Sequence, residues 1–137
     1  MDAMDLAYLA IMLMLAEYAL FTTLVGFARS WYKVPAPAVS GHPDFERYFR
    51  VQQNTLEQLI VVVPSLWIMA LTLSPLWAAV LGYLFVAARA WYAWGYYRSA
   101  AGRHWGFVAG AWASGGLVAG AFLGVAKGLW FSLRLTS

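Results

Sequence analysis

A stripe of charged and amide side chains leads into one of the apolar stretches of this chain. Its members follow one another at steps of three and four residues, which places them on one face of a helix. These residues are Glu46, Arg50, Gln53, Asn54 and Glu57. Arginine binds carboxylates through paired hydrogen bonds, glutamate receives an ammonium group, and side-chain amides satisfy the amide groups of a short peptide. The stripe therefore predicts a binding site for a small zwitterion.

Other basic and phenolic residues extend this polar chemistry. Arg89 shares a helix face with Tyr92 and Tyr96, which follow it by three and seven residues. Arg103 lies in the short basic turn SAAGRH, and Arg29 follows the first apolar segment. Guanidinium and phenol groups bind anions, so these residues would add anion-binding capacity to the stripe if the fold brings them together.

The composition indicates an integral membrane protein. Of the 137 residues, 63% are hydrophobic and 11% are charged, which is far from the composition of a soluble domain. Eight Trp, eight Tyr and eight Phe point the same way, because aromatic side chains gather at membrane interfaces. The formal charge of +3 is too small, and too interrupted by apolar runs, to predict nucleic-acid binding.

The residues for metal or thiol chemistry are few. The chain has no cysteine, so any sulfur chemistry must use the thiol of a substrate. His42 and His104 are isolated histidines, which we expect in loops and which predict no metal site.

Four apolar segments are long enough to cross a hydrocarbon core about 30 Å thick. We therefore predict an all-α integral membrane protein, a bundle of four transmembrane helices forming one domain over residues 1–137. The predicted helices cover about 5–30, 45–73, 75–98 and 104–132. Asp44 is expected to cap the second helix, and Ser74 followed by Pro75 predicts the start of the third.

Four glycines recur at every fourth position of the last predicted helix. They are Gly116, Gly120, Gly124 and Gly128. Glycines at this spacing leave a groove in which another helix backbone can approach closely. The fourth helix is therefore expected to be a packing element.

The distribution of basic residues predicts the orientation of the bundle. Four spans in up-down order place both termini on one side of the membrane. Basic residues flank the first and third connections, while the second connection has none; they are Arg29, Lys33, Arg47, Arg50, Arg98 and Arg103. Positively charged connections are retained in the cytoplasm, so we expect connections one and three to be cytoplasmic. The polar residues would then lie near the same side of the membrane, where a polar ligand can meet an apolar one from the lipid.

Two segments carry a resemblance to a known family. FERYFRVQQNTLEQ, residues 45–58, and ARAWYAWGYYRSAAGR, residues 88–103, resemble the membrane-associated proteins in eicosanoid and glutathione metabolism, the MAPEG family. This family includes microsomal glutathione transferases, leukotriene C synthase and prostaglandin E synthase. Arg29, placed before a proline-containing loop, also fits the family pattern, and at the level of four helices the resemblance covers nearly the whole chain.

The resemblance implies a homotrimer that binds glutathione between neighbouring subunits. Carried over position by position, the residues expected to contact glutathione are Arg29, Arg50, Gln52, Asn54, Glu57, Tyr92 and Tyr96. Arg103 matches the arginine credited with stabilising the thiolate, and Arg89 matches the buried arginine of the third helix. Ser30 and Gln58 stand where the leukotriene-conjugating branch has Arg and Tyr, so we do not expect that substrate.

The role implied for Arg103 has a simple chemical basis. Only the thiolate form of a thiol is a good nucleophile, and a fixed cation nearby favours that form. Each unit by which the thiol pKa falls corresponds to about 1.4 kcal/mol of preferential thiolate stabilisation. We therefore expect a membrane glutathione transferase in which Arg103 is catalytic and glutathione is the co-substrate. The thiolate would attack a hydrophobic electrophile from the bilayer, or reduce a hydroperoxide as a glutathione peroxidase does.

Several of these residues also have a structural interpretation. Ionisable side chains inside a membrane are tolerated when they pair with one another or serve a function. Glu57 and Arg89 are therefore expected to form an ion pair that orients the second and third helices. Without the family motif, Tyr92 and Tyr96 would be interpreted as aromatic residues at the membrane interface. The motif of residues 88–103 favours contact with a ligand instead.

Two other functions remain as alternatives. Glu17 lies alone in the first helix, and a single carboxylate there is also typical of small multidrug transporters that couple protons to drug export. The structural interpretation of Glu17 is that it pairs with another residue within the bundle.

The second alternative function is a non-catalytic lipid-binding scaffold of the same family. A lipid carrier, however, has no need for the peptide-binding arginines and amides.

The chain also predicts where the protein resides. Family members of this type occur in bacteria and in the endoplasmic reticulum. The sequence ends without a retention signal, which favours a bacterial inner membrane. We expect contacts with membrane lipid, with two other copies of the chain, and with a hydrophobic electrophile.

Overall fold

The computed structural model describes residues 2–135 and is helical over nearly all of them. The elements are α1 (Ala3–Tyr32), α2 (Pro43–Thr72), α3 (Pro75–Arg98), a short 3₁₀ turn (Ala101–Arg103) and α4 (His104–Leu135). Within residues 2–135, four helices are long and apolar enough to cross a membrane, as the sequence predicts. Residues 1, 136 and 137, the ends of the expected domain, lie outside the described residues.

The starts of α2 and α3 show how the sequence sets helix boundaries. Ser74 caps α3 and Pro75 is its first residue, as predicted. The predicted cap of α2 is wrong, because α2 begins at Pro43 and its cap is His42. The ring nitrogen Nδ1 of His42 accepts a hydrogen bond of 3.2 Å from the backbone N–H of Asp44. Proline suits the first helical position because it lacks an N–H that would need a partner there.

All four helices contribute to one apolar core. Met14 of α1, Leu66 of α2, Phe85 of α3 and Leu117 of α4 are fully buried within it. The outer surface is also apolar, with Trp112 among many exposed aromatic and aliphatic side chains. A bundle that is apolar inside and outside fits a lipid environment, where exposed apolar side chains cost nothing.

The glycine series of α4 packs against α2 along part of its length. A Cβ atom at Gly120 would overlap the side chain of Met69, and one at Gly124 would overlap Thr72. The predicted close approach of another helix is therefore confirmed for these two glycines. Among residues 2–135, a Cβ atom at Gly128 would meet nothing within 4 Å, so no other helix of the chain approaches closely there.

Candidate functional site

A polar cavity of about 210 Å³ opens where α2, α3 and the 3₁₀ turn meet. Its lining residues come from the α2 stripe, the tyrosine face of α3 and the basic turn; they are Arg50, Gln53, Asn54, Glu57, Tyr92, Tyr96 and Arg103. A second cavity of about 500 Å³ shares Asn54, Tyr92 and Arg103 with it and extends toward the start of α4. The structure thus brings most of the predicted site residues together.

Arg89 forms the buried support of this cavity. Its side chain is only 2% exposed. Nη1 donates a hydrogen bond of 3.1 Å to Oδ1 of Asn54, and Nη2 donates one of 2.6 Å to Oγ1 of Thr55. The guanidinium carbon lies 4.0 Å from the centroid of the Tyr92 ring. Because Oδ1 of Asn54 is engaged, the amide nitrogen of Asn54 remains available to donate to a ligand in the cavity.

The predicted ion pair between Glu57 and Arg89 is not formed. Among residues 2–135, neither Glu57 nor Arg89 takes part in a salt bridge, in contrast to Asp44, which pairs with Arg47. The cause lies on α2, where the amide of Asn54 and the hydroxyl of Thr55 take up the terminal nitrogens of Arg89. Glu57 is exposed and lines the cavity, and its carboxylate can receive a cationic group of a ligand.

Arg103 lies at the rim of the cavity on the 3₁₀ turn. Its Nη1 donates a hydrogen bond of 3.3 Å to the hydroxyl of Tyr96, and its guanidinium carbon lies 5.0 Å from the centroid of that ring. Gly102 packs on Gly95 and Gly106 packs on the α3 backbone, so closely that a Cβ atom at any of these glycines would overlap backbone atoms. This contact fixes the turn against α3 and holds the exposed Arg103 beside the cavity.

Arg29 and Gln52 lie outside the cavity of a single chain. Nη1 of Arg29 donates a hydrogen bond of 2.7 Å to the carbonyl oxygen of Ala38, and its guanidinium carbon lies 4.9 Å from the centroid of the Phe45 ring. Arg29 thereby fastens the connection between α1 and α2. Gln52 donates a hydrogen bond of 2.7 Å from Nε2 to the hydroxyl of Tyr18, which joins α2 to α1.

Gln53 lines the cavity although it was not among the residues carried over from the family motif. Its position three residues after Arg50 and four before Glu57 places it on the polar stripe. Helical spacing therefore predicts Gln53 as a residue of the cavity face, whereas the family motif named Gln52 instead.

An apolar groove of about 430 Å³ runs between α3 and α4. Its lining is mostly apolar and consists of Leu81, Leu84, Ala87, Ala88, Trp91, Ala109, Trp112 and Ala113. Trp91 borders the groove and its chain neighbour Tyr92 borders the polar cavity, so α3 contributes side chains to both.

The fold is that of a helical membrane protein, and the structure places a polar cavity where α2, α3 and the 3₁₀ turn meet. The chain belongs to the MAPEG family, whose sequence model matches residues 6–123. This match confirms the resemblance that the two motifs indicated.

Individual relatives extend the comparison. The chain is 46% identical over 108 residues to an uncharacterised protein of Synechocystis, a match that covers 79% of each chain. It is 40% identical over 91 residues to human microsomal glutathione S-transferase 2, covering 66% of this chain and 62% of that enzyme. It is 38% identical over 107 residues to leukotriene C4 synthase of Rattus norvegicus, covering 78% of this chain and 71% of the synthase.

Proposed function

We propose that this protein is a membrane-embedded glutathione transferase. One observation carries the proposal, namely that a single cavity collects guanidinium groups, a carboxylate, side-chain amides and phenols. Glutathione presents the complementary groups, which are carboxylates, an ammonium group, peptide amides and a thiol. Relatives named as microsomal glutathione S-transferase 2 and leukotriene C4 synthase support the same ligand.

Each lining residue has a role that follows from its chemistry. Arg50 binds a glutathione carboxylate through paired hydrogen bonds, and Glu57 receives the ammonium group. Asn54 and Gln53 form hydrogen bonds with the peptide amides. Tyr92 and Tyr96, one turn apart on α3, form the wall of the cavity. Exposed charges at the rim suit a ligand that arrives from water.

Arg103 is the proposed catalytic residue. Glutathione loses its thiol proton to solvent, and the fixed charge of Arg103 favours the resulting thiolate. The sulfur then forms a bond to an electrophilic carbon, and either a leaving anion departs or an opened oxygen takes up a proton from water. With a hydroperoxide, the thiolate attacks the outer oxygen and releases an alcohol, and a second glutathione converts the sulfenic acid to disulfide and water.

The electrophile is proposed to be apolar and to enter from the bilayer. The apolar groove between α3 and α4 offers it a binding surface, and α3 lines both that groove and the polar cavity. Trp91 and Trp112 are exposed on that surface, where lipid would otherwise contact them. Such a substrate partitions into the membrane, so the reaction joins a water-soluble thiol with a lipid-soluble partner.

The proposed assembly is a homotrimer of up-down bundles. Arg29 and Gln52 lie outside the cavity of their own chain, and a subunit boundary would allow them to reach the glutathione of a neighbour.

A cyanobacterial relative supports a bacterial inner membrane as the location. Connections one and three are proposed to face the cytoplasm, where glutathione is available.

A conjugation assay tests this proposal. Purified protein in detergent is given glutathione and 1-chloro-2,4-dinitrobenzene, and saturable formation of the thioether is expected. Arg50→Ala should raise the KM for glutathione about tenfold, because a charge-assisted contact is lost. Arg98→Ala is the matched control, since Arg98 stacks on Trp94 and does not line the cavity. Conjugation no faster than in buffer, or a KM equally raised in both variants, would contradict the proposal.

A further inference from the structure

Arg89 is a buried cation whose hydrogen-bond partners are neutral. Its terminal nitrogens bind Asn54 and Thr55, its plane lies over Tyr92, and its Nε is buried without a partner within residues 2–135. A charge taken out of water requires an opposite charge nearby, because neutral dipoles compensate only part of the lost hydration. A carboxylate inside the bundle would meet this requirement.

Glu17 lies at the right depth on α1 to be that carboxylate. It is flanked on the same helix face by Met14 and Phe21, both buried. Met14 lies beside Gly82 of α3, and Phe21 packs with Tyr92 in one apolar cluster. Glu17 therefore faces the stretch of α3 between these two contacts.

Arg89 lies within that stretch, one turn before Tyr92. Glu17 and Arg89 are near enough across the interface of α1 and α3 for opposite charges to interact, although among residues 2–135 the two side chains form no direct salt bridge. Oε2 of Glu17 is buried and, like Nε of Arg89, has no hydrogen-bond partner among residues 2–135. Half-buried Glu17 and buried Arg89 thus each keep a buried polar atom that no neutral group among residues 2–135 satisfies.

The other acidic residues of the sequence are committed elsewhere. Asp2 and Asp5 form the cap at the start of α1, and Asp44 pairs with Arg47. Glu46 accepts a hydrogen bond from the backbone of the first connection, and Glu57 is exposed at the cavity. Among residues 2–135, the carboxylate that lies inside the bundle near Arg89 is that of Glu17.

We propose that Glu17 is a positioning residue for glutathione, because its charge holds Arg89 in place and Arg89 in turn orients Asn54 toward the cavity. The inference rests on the proposed glutathione-binding function of that cavity. Glu17 acts through Arg89 and does not contact the ligand. It also accounts for a carboxylate in the membrane without assigning it to proton-coupled transport.

Removal of the charge at position 17 should therefore weaken the binding of glutathione. In Glu17→Gln, Arg89 has no counter-charge and is drawn toward the exposed Glu57, away from Asn54. The KM for glutathione should rise about tenfold, whereas the KM for the electrophile should stay within about twofold. Glu17→Asp retains the charge and should restore most of the affinity. Asp5→Asn is the control, because it removes one carboxylate charge from the end of α1, outside the bundle.

A double-mutant cycle of Glu17→Gln and Arg89→Gln tests the pair without glutathione. Both single variants should lower the thermal unfolding midpoint, and the double variant should lie no lower than Arg89→Gln alone, because the two charges depend on each other. Additive midpoints together with a wild-type KM for glutathione in Glu17→Gln would overturn the inference. Failure of the wild-type protein to bind glutathione would overturn the proposed function itself, and the cycle would still decide whether the two residues pair.

Discussion

Two arginines serve the same cavity from opposite environments. Arg89 is buried and holds hydrogen bonds of 2.6 and 3.1 Å to α2, whereas Arg103 is exposed and donates one bond of 3.3 Å to Tyr96. Both terminal nitrogens of the buried guanidinium donate hydrogen bonds to α2, so its position suits the orientation of neighbouring side chains. The exposed one makes a single, longer hydrogen bond and borders the cavity. Under the proposed function, this difference assigns positioning to Arg89 and thiolate stabilisation to Arg103.

Replacement of the exposed arginine should have the largest effect on this contrast. In Arg103→Ala, kcat for conjugation should fall about 100-fold at neutral pH, because the group that stabilises the developing anion is lost. The thiol pKa would return toward its ordinary value, so raising the pH should recover part of the rate. A pH–rate profile for the wild type and the variant measures both effects. An unchanged kcat with an unchanged profile would place the activating charge on another residue.

Displacement of the same arginine without removing it should have an intermediate effect. A Cβ atom in Gly102→Ala would lie 2.5 Å from the carbonyl oxygen of Gly95, so the 3₁₀ turn must move away from α3. A shift of this kind should reduce kcat about tenfold, because rates depend steeply on the placement of the reacting groups. Gly115→Ala is the control, since a Cβ atom there meets nothing within 4 Å. Equal rates for both variants would show that the turn does not set the position of Arg103.

Loss of the hydrogen bond to Tyr96 should have the smallest effect. Tyr96→Phe keeps the ring under the guanidinium but removes the hydroxyl that accepts from Arg103. One exposed hydrogen bond contributes little, so kcat should change about threefold, with little change in the thermal unfolding midpoint. A loss as large as that of Arg103→Ala would show that the phenol itself takes part in the reaction. Steady-state kinetics with both variants separate these outcomes.

Much of this architecture could be predicted from the sequence, for definite physical reasons. The length of the apolar segments indicated four membrane-spanning helices, and Ser74 with Pro75 marked the start of α3. Helical spacing and the family motif named most of the residues that line the cavity. Spacing of three and four residues defines a helix face, and it therefore placed Gln53 on the cavity side as well.

The contacts between helices could not be predicted in the same way. Spacing along one helix does not say which side chain of another helix comes within bonding distance, so Glu57 was wrongly paired with Arg89. Thr55 was not predicted as a partner of Arg89, because it is uncharged, although its hydroxyl accepts the 2.6 Å hydrogen bond from that arginine. The spacing of the glycines likewise included Gly128, where a Cβ atom would meet nothing within 4 Å among residues 2–135. A glycine pattern on one helix does not show how far the neighbouring helix extends.

The most direct test of the central claim is the ultraviolet difference spectrum of glutathione thiolate. Glutathione is titrated into detergent-purified wild-type protein and Arg103→Ala at neutral pH, and binding is followed separately by calorimetry. We predict a thiolate band with the wild type that disappears in the variant while glutathione still binds. A band of equal strength in both proteins would contradict the role of Arg103, and the absence of both band and binding in the wild type would contradict the transferase.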